Sequence, residues 1–249
     1  MKDDLVTVIV VNYNGRAYLD ACLASLRAQS LPAHRFEVVV VDNGSRDGSA
    51  EWLRRAWPGV TVVEAGANLG FAGGNNAGMD RAHGRLFALL NNDAVADPFW
   101  LEEMLRAAGV RTAGVAAKLV FLAEPGVIDS AGLRLLRDGR GKDVGFREPD
   151  RGQFERPREV FGGCGAGVLL RADALDDGGR LDERLFMYYE DLDLAWRCRL
   201  GGGRFAYAPR AVVRHVHCGS SGAGSPFVRF HVERNRALAG ARNGDPVLA

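Results

Sequence analysis

Long apolar runs are missing from this chain. Leu5 to Val11, among the longest and interrupted by Thr7, falls far short of a membrane span. The start, Met-Lys-Asp-Asp, lacks the basic-then-apolar pattern of a secretory leader, so a cytoplasmic protein is expected. Net charge is nearly absent: a formal +1 removes the electrostatic case for nucleic acid as a partner. The four cysteines, at 22, 164, 198 and 218, have no paired short spacing, which excludes a disulfide framework and a four-cysteine zinc site. Reduced thiols agree with the cytosol. There is no internal repeat, no low-complexity segment and no Gly-Lys-Ser/Thr phosphate loop. A Gly-x-Gly-x-x-Gly turn does not follow the first apolar stretch, where Asn12-Tyr-Asn-Gly-Arg16 stands instead. The later run Gly162 to Gly167 lacks the spacing and context of that turn, so a dinucleotide-binding oxidoreductase is disfavoured.

What is present is an ordinary globular composition, 47% hydrophobic and 25% charged over 249 residues, enough to bury a sizeable core. Leu5 to Val11, Phe36 to Val41, Val60 to Val63 and Leu86 to Leu90 read as strands from their β-branched or uniformly apolar content. Between them, Tyr18 to Gln29 and the stretch through Trp52 and Leu53 carry helical spacing, and the glycine-rich Asn68 to Asn76 reads as a loop leading into a short helix. This alternation predicts an α/β fold with a mostly parallel, Rossmann-like central sheet flanked by helices, in a single domain over 1–249.

Three strands end in polar clusters: Asn12 to Asn14, Asp42 to Ser45 with Asn43 between, and Asn91-Asn92-Asp93. In a parallel sheet these ends share one edge, so they converge on one crevice. The ligand such a crevice suits has a base or ribose that needs hydrogen bonds and a phosphate that needs a cation. Asp42 can accept from a ribose hydroxyl or a ring N–H. Asp93, a carboxylate among amides, suits a divalent cation, Mg²⁺ or Mn²⁺, that shares its ligands with phosphate oxygens.

After Lys118 the pattern loosens. Glu124 to Val160 reads as an excursion over the sheet, with a hairpin over Ile128 to Leu136. Gly165 to Leu170 returns as a strand, and a helix follows whose first turn carries Glu190, Asp191 and Asp193. Acids are favoured at a positive helix end, and a carboxylate crowded by others can also serve as a proton acceptor. Ala211 to His217 reads as a strand with Ala211, Val213, His215 and His217 on one face, and a zinc alternative would add Cys218. Ser220 to Ser225 reads as a loop able to close over a ligand, and Phe227 to Ala241 as a last amphipathic helix.

In this order, Val11-Asn-Tyr-Asn-Gly15, Val41-Asp-Asn-Gly-Ser45, Asn68-Leu-Gly-Phe-Ala-Gly-Gly-Asn-Asn76, Asn91-Asn-Asp93, Gly163-Cys-Gly-Ala166 and Tyr189-Glu-Asp-Leu-Asp-Leu194 resemble the family 2 glycosyltransferases of the GT-A fold, near the rhamnosyltransferase-like members. The resemblance runs from about Val6 to about Arg236. It implies a nucleotide-sugar-binding half to about 120 and a catalytic, acceptor-binding half after it, with a smaller acceptor-side antiparallel region. It places Asp42 at the base, and Asn12, Asn14, Asn43, Asn68, Gly70, Asn75 and Asn92 around the nucleotide sugar. Asp93 takes the metal position of the family's Asp-x-Asp motif, with Asn91 in place of its first acid. A histidine completes the metal shell in some relatives, so His215 and His217 are both candidates, with His217 preferred. Glu190 and Asp191 become the catalytic pair, Asp191 the base. The implied partners are a nucleotide-diphosphate sugar, dTDP-rhamnose or a UDP-sugar, and a glycan or lipid-linked acceptor at the inner face of the plasma membrane. A sugar nucleotidyltransferase would want a basic glycine-rich loop after strand one, and a non-catalytic binding module would not need the acids at 93, 190 and 191.

Overall fold

The computed structural model describes residues 5–109, 111–217 and 224–244. Cys218, of the zinc alternative, and most of the loop expected over Ser220 to Ser225 lie outside them.

The first half alternates as expected. Strands β1 (Val6–Asn12), β2 (Phe36–Asp42), β3 (Thr61–Glu64) and β4 (Leu86–Leu90) are joined by helices α1 (Arg16–Arg27), α2 (Ser49–Ala56) and α3 (Gly70–Met79). All pair in parallel, with β1 between β4 and β2 and β3 on the outer edge. Side chains alternate across the sheet, so each strand feeds two cores. Val6, Val8, Val10 and Ala88 pack with Leu19, Leu23 and Leu26 of α1, whereas Ile9, Phe87 and Leu89 pack on the other face with Met79 of α3. Burial of each such aliphatic side chain contributes about 1.5–3 kcal/mol.

The chain then crosses to the other side of β4. Short β5 (Ala94–Ala96) and helix α4 (Trp100–Ala107) precede the long β6 (Thr112–Phe121), and β11 (Gly167–Arg171) fits between β4 and β6, antiparallel to both. Around it lie β7 (Ile128–Ser130), β8 (Leu133–Leu135), β9 (Gly141–Asp143) and β10 (Arg158–Val160), and after it α5 (Ala172–Gly178), α6 (Glu190–Leu200), β12 (Arg204–His215) and α7 (Pro226–Asn243). The main sheet runs β10-β12-β6-β11-β4-β1-β2-β3, and β8 and β9 form a separate antiparallel pair.

Three local readings are corrected. The glycine-rich segment is itself the start of α3, because its glycines serve close packing. A Cβ on Gly74 would meet Val11 at 2.6 Å and one on Gly78 would meet Ile9 at 2.4 Å. Ile128 to Leu136 is not a hairpin: β7 pairs with β6, the chain turns at Gly132 with φ +94, and β8 pairs with β9. Finally, β12 begins at Arg204, not Ala211, and ends at His215. Pro209 falls where the pairing with β6 shifts register, between Ala208 and Val212.

Candidate active site

A cleft of about 410 Å³ opens along the polar strand ends. Asn43, Asn68 and Gly70 line it as one bonded cluster, Asp93 with His215 and His217 as a histidine flank, and Glu190 with Asp191 at the start of α6, with Asn92 also in the lining. Asn12, Asn14, Asp42 and Asn75 do not line it. Three of those four are spent on loop architecture. The Asn12 amide donates to Ser45 Oγ (3.2 Å) while its oxygen accepts from Asn92 (2.7 Å). Asn14 Oδ1 accepts from the Arg46 N–H (2.8 Å), and the Asn75 amide caps the Phe71 carbonyl in its own helix (2.9 Å).

Asp42 differs from those three. It is buried; Oδ2 accepts from the Ser45 N–H at 3.2 Å, but Oδ1 has no hydrogen-bond partner. A buried acceptor without a donor is rare in native proteins and marks a place for a ligand's N–H or O–H. Beside it, Asn43 ties down the turn into α3: its amide donates to Asn68 Oδ1 (3.1 Å) and the Gly70 carbonyl (3.0 Å), and its oxygen accepts from the Leu69 N–H (3.0 Å).

The flank with the histidines is set by sheet pairing. Antiparallel β5 and β12 put His215 opposite Ala94, next to Asp93, and His215 Nε2 lies 3.3 Å from Asp93 Oδ1. That Oδ1 has no hydrogen-bond partner. His215 Nδ1 bonds Asp129 Oδ2 at 2.7 Å, and His217 Nδ1 lies 2.8 Å from the other oxygen of Asp129. Burial alone would lower the His215 pKa, but the Asp129 and Asp93 carboxylates outweigh it and push it up to about 9. Asp129, in turn, is held below the usual carboxylate range: burial works against its charge, and the two histidines overcome it.

Ligand atoms of Asp129, His215 and His217 lie within 4.8 Å of one another. Both Asp129 oxygens are already engaged by imidazole N–H groups, so Asp129 fits the outer role, fixing the rings. The donor set facing the cleft is then Asp93 Oδ1 with imidazole nitrogen, a mixture that suits Mn²⁺ better than Mg²⁺. Sequence reasoning missed Asp129. It lies in the excursion between Glu124 and Val160, and a single acid in Ile-Asp-Ser carries no motif.

The acids are aimed by an unusual turn. Phe186, Tyr188 and Tyr189 all have positive φ, at 63, 69 and 70°, a region bulky residues avoid. The Asn235 amide of α7 holds this turn, 2.7, 2.9 and 2.7 Å from the carbonyls of Leu185, Met187 and Tyr188. Glu190 is buried, with Oε2 unpartnered; burial and then the Asp191 charge raise its pKa well above the usual range. Asp191 is half-buried and raised too, by burial, but the N–H groups of Gly165 (3.1 Å) and Leu192 (2.7 Å) stabilise its charge. Those two N–H groups favour the charge on Asp191, whereas burial and the neighbouring charge drive Glu190 toward its neutral form. Asp193 is structural, bonded to Arg197 (2.9 Å) and Asn243 (2.7 Å).

A fourth acid lines the cleft. Asp143, at the end of β9, is pushed up to about 7, chiefly by burial, then by the charges of Asp191 and Asp129; the Ser130 hydroxyl and His217 oppose them.

Comparison with known proteins agrees with this geometry. The N-acetylglucosaminyl-diphospho-decaprenol L-rhamnosyltransferase of Mycobacterium tuberculosis is 30% identical, over 88% of this chain and 78% of its own. The pre-mycofactocin glycosyltransferase of the same organism is 29% identical, over 85% of this chain and 43% of its own. Among solved structures, GalNAc-T7 with UDP, GalNAc and Mn²⁺ superposes with a TM-score of 0.76 at 17% identity, covering 95% of this chain, which spans 47% of that one. The mannosyltransferase PcManGT from Pyrobaculum calidifontis, with GDP-Man and Mn²⁺, gives 0.71 at 20% identity, over 98% and 66%. These likenesses show the GT-A fold. The Glycosyl transferase family 2 model matches residues 7–179, and the chain belongs to that family, as a glycosyltransferase that works from a nucleotide sugar.

Proposed function

We propose that the chain moves a sugar, with inversion and with the help of a divalent cation, from a nucleotide-diphosphate donor to an acceptor hydroxyl. The observation that carries this reading is that Asp93 and Asp191 line one sugar-sized cleft from opposite halves of the chain. Asp42 and the Asn43–Asn68 corner would hold the nucleotide. Asp93 and His215 would hold a cation, with His217 beside them, and a cation there would neutralise charge on the departing diphosphate. Asp191 takes the acceptor's proton as the acceptor oxygen bonds to the anomeric carbon and the bond from that carbon to the diphosphate oxygen breaks. Glu190, protonated, keeps a second negative charge away from that step.

The L-rhamnosyltransferase relative supports dTDP-rhamnose as donor and a lipid-linked saccharide of the cell envelope as acceptor; a UDP-sugar is the second choice. No described helix is long and apolar enough to cross a membrane. A lipid-linked acceptor would be met by peripheral contact at the cytoplasmic face. The chain is read as one GT-A unit, nucleotide-binding to about 120 and acceptor-binding beyond. The test is Asp191→Asn: transfer should fall by about 10²–10⁴-fold, while the Kd for dTDP or UDP with Mn²⁺ stays at the wild-type value. Unchanged turnover would remove Asp191 from its role.

A further inference from the structure

The β8–β9 pair belongs to none of the family's motif segments, yet it forms the wall of the cleft beside the acids. Gly141 packs against α6: its N–H donates to the Tyr189 hydroxyl at 3.3 Å, and a Cβ there would meet Leu192 at 2.8 Å. Pairing sets Asp143 opposite Leu133, and both line the cleft. The Ser130 hydroxyl, which donates to the Gly132 carbonyl at 3.4 Å, stands close enough to Asp143 to favour its charge. Asp143 Oδ1 is buried and has no hydrogen-bond partner.

A buried acceptor on the wall of a binding cleft calls for a donor from the ligand. The charges that bear on Asp143 are those of Asp191, Asp129 and His217, so it stands near both the proton acceptor and the histidine flank. The group that spans those two is the transferred sugar, and its hydroxyls are donors. We infer that Asp143 recognises one hydroxyl of the transferred sugar by accepting its hydrogen bond, making the β8–β9 pair a determinant of donor choice. The inference rests on the transfer reaction proposed above.

The experiment uses dTDP-rhamnose and UDP-glucose, with analogues of each deoxygenated at a single ring position, in the presence of Mn²⁺. For one position the wild type should favour the parent sugar by about 10–100-fold in kcat/KM, the worth of a hydrogen bond to a charged group. Asp143→Ala should turn over parent and analogue alike. Asp143→Asn, which keeps the volume and guards against a failure to fold, should show a reduced preference. Binding of dTDP and UDP should be unchanged in both variants, because neither carries the sugar. A wild-type preference that survives Asp143→Ala, or a wild type with no preference at any position, overturns the assignment. If the wild type transfers from neither donor, the transfer reading fails instead. Titration of the same donors, analogues and nucleoside diphosphates then decides Asp143 by whether the sugar-dependent part of the affinity is lost in the variants.

Discussion

Asp129, behind the histidines, holds two imidazoles at once, one on each carboxylate oxygen. If its role is to fix the rings, Asp129→Asn should weaken Mn²⁺ binding by about 10–100-fold, since an amide satisfies only one of two N–H donors. Calorimetric titration with Mn²⁺ checks this, and unchanged affinity would leave Asp129 a packing residue. Asp143 carries a second expectation. Its carboxyl ionises near 7 in the folded chain against an ordinary 3.8, so between those values the native state binds a proton that the unfolded chain has released. Stability from this group is therefore complete below about 3.8 and declines as pH rises through about 7. The gain in melting temperature of Asp143→Asn over the wild type should grow across that window and level above it. A gap that is flat with pH would mean Asp143 is already ionised. These two acids also mark where sequence reading ends. Asp42, Asp93, Glu190 and Asp191 stand at strand ends or helix starts and carry family motifs. Asp129 and Asp143 sit in a stretch without periodicity, and only folding brings them to the cleft.

At the scale of elements, the turn before α6 and the helix that holds it form one device. Asn235 is fully buried, and its two amide N–H groups are shared among three carbonyls from a position that does not line the cleft. Asn235→Ala removes those donors, the Leu185 carbonyl keeping the Met187 N–H, and should cost about 1–3 kcal/mol of stability. Because the same turn aims Glu190 and Asp191, kcat should fall while the Kd for dTDP or UDP changes little. Stability lost with kcat retained would show that the turn keeps its shape without Asn235. Strands β1 to β4 and helix α1 were readable from their sequence pattern. α3 was not, because glycine argues for a loop when nothing shows what it packs against. The close approach to Val11 and Ile9 is a tertiary fact.

Across the whole molecule, the sheet divides the work. Its parallel half supplies the Asn43–Asn68 corner of the cleft through loops that follow strand ends, and its mixed half supplies the histidines and the acids through β12 and α6. The first half was legible because each strand follows the last through a helix; the second was only partly so, because β11 enters between β4 and β6 from far along the chain. The matched family span, 7–179, stops short of α6, so the aim of the acids depends on the part that the family model leaves out. That aim is bought with the left-handed conformations at Phe186, Tyr188 and Tyr189, which cost about 1–3 kcal/mol each. A laboratory selection for heat resistance alone should therefore find its easiest gains at these positions, with glycine or asparagine, and the survivors should melt later and turn over more slowly. Sequencing such survivors and assaying them for transfer would reveal whether durability and speed are opposed at this turn; survivors that keep full speed would show that its tension serves no chemical purpose.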